Sequence, residues 1–260
     1  MKKTIEIFWT GGYDSTFRVV QLSRLPVKIR PIYFSDNRLS EKIELSVIQK
    51  VTEILNNKKD TKCEIIPLKI ISIEQRIKDD TISEAYQRLL SKTFMGSQYE
   101  WLAWFAKYHK GIEISVLGSD GGFIQKNNFL FLLVSDEIIG DYYVLDQEKC
   151  DEDVCTVFGN FHYPLMKMSK LGMKKKYLEW DCQEIMNLTW FCHTPINGKP
   201  CGLCKPCQCT IEEGMTERFT KMALLRYKLK PVKKILKSLI KKSHLIWIFE
   251  KMKVLLPMIS

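Results

Sequence analysis

The chain has 260 residues, 45% of them apolar, enough to bury a full core and of a length that fits one α/β domain with appendages better than two large domains. Its net charge of +10 is unevenly placed: residues 217–260 hold 12 Lys or Arg against two Glu, so 28 of the 40 basic and 28 of the 30 acidic residues precede them. A formally neutral body is poorly suited to wrapping a polyanion, so no stable nucleic-acid binding is expected, and no uncharged run reaches the roughly 20 residues of a transmembrane helix. Residues 4–9 (TIEIFW) predict the first strand, Ser15–Leu25 a helix whose Phe17, Val20 and Leu25 face the core, and Val27–Phe34 the second strand. Glu41–Leu55 follows as an amphipathic helix and Cys63–Leu68 as the third strand. Ser72–Ser91 and Gln98–His109 read as helices, Glu113–Leu117 as the fourth strand and Tyr142–Leu145 as the fifth. This alternation predicts a parallel sheet flanked by helices, with right-handed crossovers and ligands at the carboxyl ends of the strands.

At the first such end lies WTGGYDST, Trp9 to Thr16. Gly11 and Gly12 let the backbone turn tightly and approach a ligand without a Cβ in the way, and the helix that follows presents a positive dipole end to an anion. Thr10, Ser15 and Thr16 add hydroxyl donors. Asp14 would repel a bare phosphate unless it caps the helix or works through a metal ion. The plain alternative is a capped strand-to-helix turn. No lysine follows the second glycine and no third glycine completes a dinucleotide fingerprint, so the two better-known nucleotide loops are set aside.

Near the other end, Cys192, Cys201, Cys204 and Cys207 form C-x8-C-x2-C-x2-C, with Gly202 and Pro206 supplying turn chemistry. Thiolates two residues apart converge on one tetrahedral ion, and zinc is the natural occupant. Nine cysteines without a signal peptide point to a reducing compartment and a cytoplasmic location. Cys63, Cys150, Cys155 and Cys182 read as core residues. His109, His162, His193 and His244 show no triad or metal spacing. His193 is a neighbour of the cluster rather than a fifth ligand.

The loop resembles the pyrophosphate loop, SGGxDS, of the ATP pyrophosphatase superfamily, with Thr10 in place of the first serine. Taken with the cysteine spacing it is similar to the 7-cyano-7-deazaguanine synthase branch, over roughly residues 1 to 213. PIYFSDNRLSEKIE, GSQYEWLAWFAKYHKGIEISVLGSD and YPLMKMSK fall where that family has its second strand, its helix into the fourth strand and its Pro-Leu segment before a lysine. The resemblance implies a Rossmann-like fold of the adenine nucleotide α-hydrolase type over 1–190 and a zinc knuckle over 191–213; the family usually ends soon after that knuckle, and the extra tail over 214–260 is read as basic and helical from its own apolar and lysine spacing. It also implies ATP, Mg²⁺ and Zn²⁺ as cofactors, and adenylation of a small carboxylic acid followed by capture by ammonia or another amine. Trp9 to Thr16, Phe34, Ser35 and Gly118 would bind ATP, with Asp14, Ser15 and Lys170 catalytic.

Backbone groups near Tyr33, Phe34 and Ser35 would read the adenine edge, although Tyr33 and Phe34 also fit ordinary strand packing. Asp120, just past the fourth strand, would orient substrate or a metal ion, a solvated turn residue being the alternative. Two departures bear on the substrate. The stretch after Gly118, SDGGFIQKNNFLFLLVSD, lacks the Tyr-Pro-Asp-Cys segment of the deazapurine pocket, and Cys207 is followed by Gln208 rather than arginine. A paralogue acting on another acid or a sugar-derived amide, or an ATP-binding module without turnover, is the alternative. Family members are often dimers, so a homodimer is expected. Residues 230–256 read as a basic amphipathic helix that packs on the body or a second subunit, or lies peripherally on the inner membrane surface.

Overall fold

The computed structural model describes residues 2–118 and 129–230. The chain forms two compact units, residues 1–190 and 191–260. Asp120 and all but the first residue of the 230–256 tail lie outside the described residues.

The first unit is α/β. Strands β1 (Thr4–Phe8), β2 (Lys28–Phe34), β3 (Glu64–Ile65), β4 (Lys69–Ile71), β5 (Ile112–Glu113) and β8 (Phe161–His162) make one parallel sheet. Its order is β3, β2, β1, β5, β8, with β4 beside the second half of β2. Helices α1 (Tyr13–Ser23) and α2 (Glu41–Asn57) separate the first strands, α3 (Asp80–Lys92) and α4 (Gln98–Ala106) follow β4, and α5 (Glu152–Phe158) precedes β8. After β8 come α6 (Lys170–Glu179) and α7 (Gln183–Leu188).

The central strands are buried on both faces, as expected of a parallel sheet covered by helices. Along β1 the two-residue period sends Ile5, Ile7 and then Trp9 into one core, with Phe17, Val20 and Leu22 of α1 and Val47, Val51 and Leu55 of α2. Phe8 enters the opposite core with Phe34, Ile82, Tyr86 and Leu102. Leu22 is fully buried and Leu25 only partly so, because α1 ends at Ser23 before Pro26.

Four sequence expectations are corrected. Glu113–Leu117 is not the fourth strand as expected, because only Ile112–Glu113 pairs there. Ser72–Ser91 is not one helix: Ser72 and Gln75 form a capping box around a single 3₁₀ turn, and Asp79 caps α3 by accepting from the Ile82 N–H at 3.0 Å. Two N-cap signals thus start two elements. Cys63–Leu68 contributes only Glu64–Ile65, and β4 continues the pairing to β2 beyond it. Tyr142–Leu145 is not a parallel strand. It belongs to β7 (Gly140–Leu145), which pairs antiparallel with β6 (Phe131–Asp136) in a hairpin. The turn is held by Asp136, whose carboxylate accepts from the N–H groups of Ile138 and Ile139, and by Gly140 at φ +74°. The strand that extends the parallel sheet is the two-residue β8, too short to carry a sequence period.

A buried ion pair ties α1 to β5. Arg18 donates from Nε to Glu113 Oε2 at 2.8 Å and from Nη2 to Oε1 at 2.6 Å, and from Nη1 to Gln21 at 2.8 Å. Both side chains are 1% exposed.

In the second unit the Cys cluster leads into α8 (Lys205–Glu212), a 3₁₀ turn (Thr216–Arg218) and a helix through 221–230. No described helix is long and apolar enough to cross a membrane.

Candidate functional site

The turn between β1 and α1 is built as the glycine pair requires. Gly11 has φ +68°, and a Cβ there would sit 2.9 Å from the Glu44 carbonyl oxygen. A substitution is therefore both strained and obstructed. At Gly12 a Cβ would meet Thr10 Oγ1 at 3.1 Å. The Gly11 carbonyl accepts from Trp190 N–H at 2.9 Å, which anchors the turn from behind. Trp9 is fully buried and donates from its indole to Thr16 Oγ1 at 3.0 Å, which fixes the start of α1.

Thr10 and Ser15 lie across the turn from one another, their hydroxyl oxygens 3.3 Å apart. No side chain caps α1, and the acidic residue of its first turn is Asp14. Asp14, in the first turn, serves neither as a cap nor as a lone repulsive charge. Its Oδ1 accepts from Lys170 Nζ at 2.7 Å, 156 residues away, and that ammonium also lies 5.0 Å from the Tyr13 ring centroid. Ser169 caps α6 through the Gly172 N–H at 3.0 Å and so sets Lys170 at the helix start. The loop and Lys170 are brought together.

The end of β2 is occupied by the protein's own contacts. Phe34 is buried in the core beneath α4. The Ser35 N–H donates to the Ile71 carbonyl at 2.9 Å, and its own carbonyl accepts from Arg76 Nη2 at 2.6 Å. Glu41 takes the Ser35 hydroxyl and the N–H groups of Asp36 and Asn37. Reading an adenine edge at Ser35 would require these partners to give way. Tyr33 donates to Glu44 at 2.7 Å, and burial with that carboxylate pushes its phenol well above the usual range. Gly118 is packed so closely that a Cβ would lie 2.6 Å from the Met166 carbonyl, which accepts its N–H at 3.0 Å. That fit accounts for a glycine at this position without a ligand. Sequence reasoning did not single out Glu44, Arg76 or Trp190, whose roles arise from contacts distant in the chain.

In the second unit the sulfurs of Cys192, Cys201, Cys204 and Cys207 all lie within 4.8 Å of one another. Cys201 and Cys207 are 3.8 Å apart, and Cys204 and Cys192 3.9 Å. Four sulfurs at the usual zinc distance from a tetrahedral centre would be about 3.8 Å apart, so the donor set fits zinc. The surrounding N–H groups favour thiolates. Cys192 Sγ accepts from the Cys201 N–H, and Cys201 Sγ from those of Leu203 and Cys204, each at 3.2 Å, with Thr194 Oγ1 adding a donor at 3.3 Å. The Cys204 thiol is held below the usual range, first by its contact with Cys207 and then by backbone donors including the His193 N–H, while burial pushes the Cys192 thiol up. The His193 side chain is exposed. Gly202, at φ +78°, passes so close to the Ala223 carbonyl that a Cβ would lie 2.1 Å away.

Compared with known proteins, the chain matches no family model and no curated protein. Fold and site define the class: an α/β protein with a mostly parallel sheet, and four cysteines arranged to hold a metal ion such as zinc.

Proposed function

We propose that the chain is an ATP-dependent adenylating enzyme of the pyrophosphatase-loop type, acting on a small carboxylic acid. The observation that carries this reading is the uncapped amino end of α1 behind Gly11 and Gly12, at the carboxyl end of β1, with Lys170 drawn onto Asp14. The carboxylate oxygen of the acid attacks the α-phosphorus and pyrophosphate leaves. Ammonia then displaces AMP from the acyl-adenylate to give the amide, and a second adenylation of the amide oxygen, with loss of AMP, gives a nitrile. Thr10, Ser15 and the turn would hold the pyrophosphate, and Lys170 would offset charge as it leaves. Mg²⁺, when bound, would neutralise phosphate charge beside Asp14, whose carboxylate is part-buried at the loop. The cysteine cluster, in this reading, is structural.

A second reading, with the same core and another acid, is favoured by the hairpin of β6 and β7, which follows Gly118 where the family's deazapurine segment would continue.

Zinc-loaded protein incubated with α-labelled ATP, Mg²⁺, ammonium and 7-carboxy-7-deazaguanine should form AMP and pyrophosphate in an acid-dependent way, with deazapurine amide or nitrile. Lys170→Met should lower kcat/KM about 10²-fold. No turnover by folded, ATP-bound protein would reject that acid, and ATP held without AMP formation from any acid tried would reject the enzyme reading.

A further inference from the structure

A cavity of about 310 Å³ runs along the flank of the parallel sheet, between β4 and α4. This is at the small end of the roughly 300–1,000 Å³ range of ligand sites. It extends from Ile71 at the end of β4 to His109, whose Nδ1 meets Glu6 in the middle of β1 at 2.7 Å. Phe34 and Ile71 are the last residues of β2 and β4, so one end of the cavity lies at the carboxyl edge of the sheet and the rest runs down its flank.

The walls are aromatic. Trp101, Trp104, Phe105 and Phe34 line it, with Trp104 fixed by a 3.1 Å indole bond to Ser83. Phe34 packs on Trp101 and Phe105 at centroid distances of 5.0 and 5.4 Å. Ile70, Ile77 and Tyr108 are exposed among the lining residues, at 47%, 68% and 63%. Apolar surface of this kind at a concave site marks a place for an apolar partner.

The charged lining has one sign. Lys69 and Arg76 line the cavity together with His109, and no Asp or Glu does. Arg76 lies 4.2 Å over the Trp101 ring, and Nη2 donates to the Ser35 carbonyl. Its buried Nε has no hydrogen-bond partner, and the guanidinium has no ion-pair partner among the described residues. Burial disfavours this cation, and neither Asp36 nor Glu74 fully offsets that effect. A half-buried cation lying over an indole ring and beside further packed aromatic rings is the chemistry that recognises a flat anion.

We propose that this cavity is a second ligand site, which takes a planar aromatic carboxylic acid with its ring among Trp101, Trp104 and Phe105 and its carboxylate beside Arg76 and Lys69. The site rests on the cavity alone and needs neither ATP nor the adenylation reading.

Calorimetric and ligand-observed NMR titrations without nucleotide would compare 2-naphthoate with its neutral isostere 2-naphthamide. The acid should bind at least about tenfold more tightly, the difference a charge-assisted contact supplies. Arg76→Met should bring acid and amide to within about threefold, and Trp101→Ala should weaken both. Equal binding of acid and amide to the unaltered protein, binding of neither up to their solubility, or acid binding unchanged in folded Arg76→Met would each overturn the proposal. AMP formation, measured separately, reports on the adenylation reading and is independent of every one of these outcomes.

Discussion

Removing the metal from the four-cysteine cluster is expected to unfold the segment around it. Among the described residues of the second unit, the buried positions are Cys192, Cys201, Gly202, Cys207, Thr210 and Ala223, with no large aliphatic or aromatic side chain in the set. Burial on that scale cannot offset the conformational entropy of ordering the segment. Closing four thiolates on zinc contributes on the order of 10 kcal/mol in knuckles of this kind, which is enough. The purified chain should carry close to one zinc per molecule. Chelation, Cys192→Ser or Cys207→Ser should remove hydrogen-exchange protection from residues 192–212, while Cys209→Ser, outside the cluster, should leave both metal and protection in place. A metal-free chain with the same protection would show that the cluster is not a metal centre.

The second large effect is expected at the Arg18–Glu113 pair. Its two parallel hydrogen bonds occupy both carboxylate oxygens in a setting from which water is excluded. Replacing one partner leaves the other charge buried and unpaired, so Arg18→Met or Glu113→Leu should each cost about 3–5 kcal/mol in urea unfolding of the first unit. The double variant Arg18→Met, Glu113→Leu should recover most of that loss, because apolar replacements of similar volume remove the desolvation penalty along with the attraction. A cost below about 1 kcal/mol for either single change would mean that water reaches the pair.

These two features were unequally legible in the sequence. The cluster was readable because four cysteines able to share one ion lie within 16 residues, so spacing alone carries the geometry. Arg18 sits among Phe17, Val19 and Val20, and nothing local distinguishes a buried paired arginine there from a solvated one. Its partner is 95 residues away. The same division runs through the fold. β1, α1, β2 and α2 follow from periodicity because each is long enough to show a period. β8 and β5, at two residues each, are held by neighbouring strands. The β6–β7 hairpin was misread because β7 has an apolar run compatible with either strand sense, and the turn chemistry at Asp136 and Gly140 decides it. At the loop, glycines and hydroxyls predicted a tight turn, but the pairing of Asp14 with Lys170 needed α6 to be placed. The aromatic residues of α4 read simply as a helix; only β4 alongside makes them one wall of a cavity.

The proposed transfer of adenylate to a carboxylate is tested most directly by following the carboxylate oxygen. With 7-carboxy-7-deazaguanine labelled by ¹⁸O in both carboxylate positions, together with ATP, Mg²⁺ and ammonium, mass spectrometry of the first-turnover AMP should find one ¹⁸O per molecule. In the proposed reaction the carboxylate oxygen that attacks the α-phosphorus would leave with AMP. AMP without label, or ADP as the nucleotide product, would contradict an acyl-adenylate.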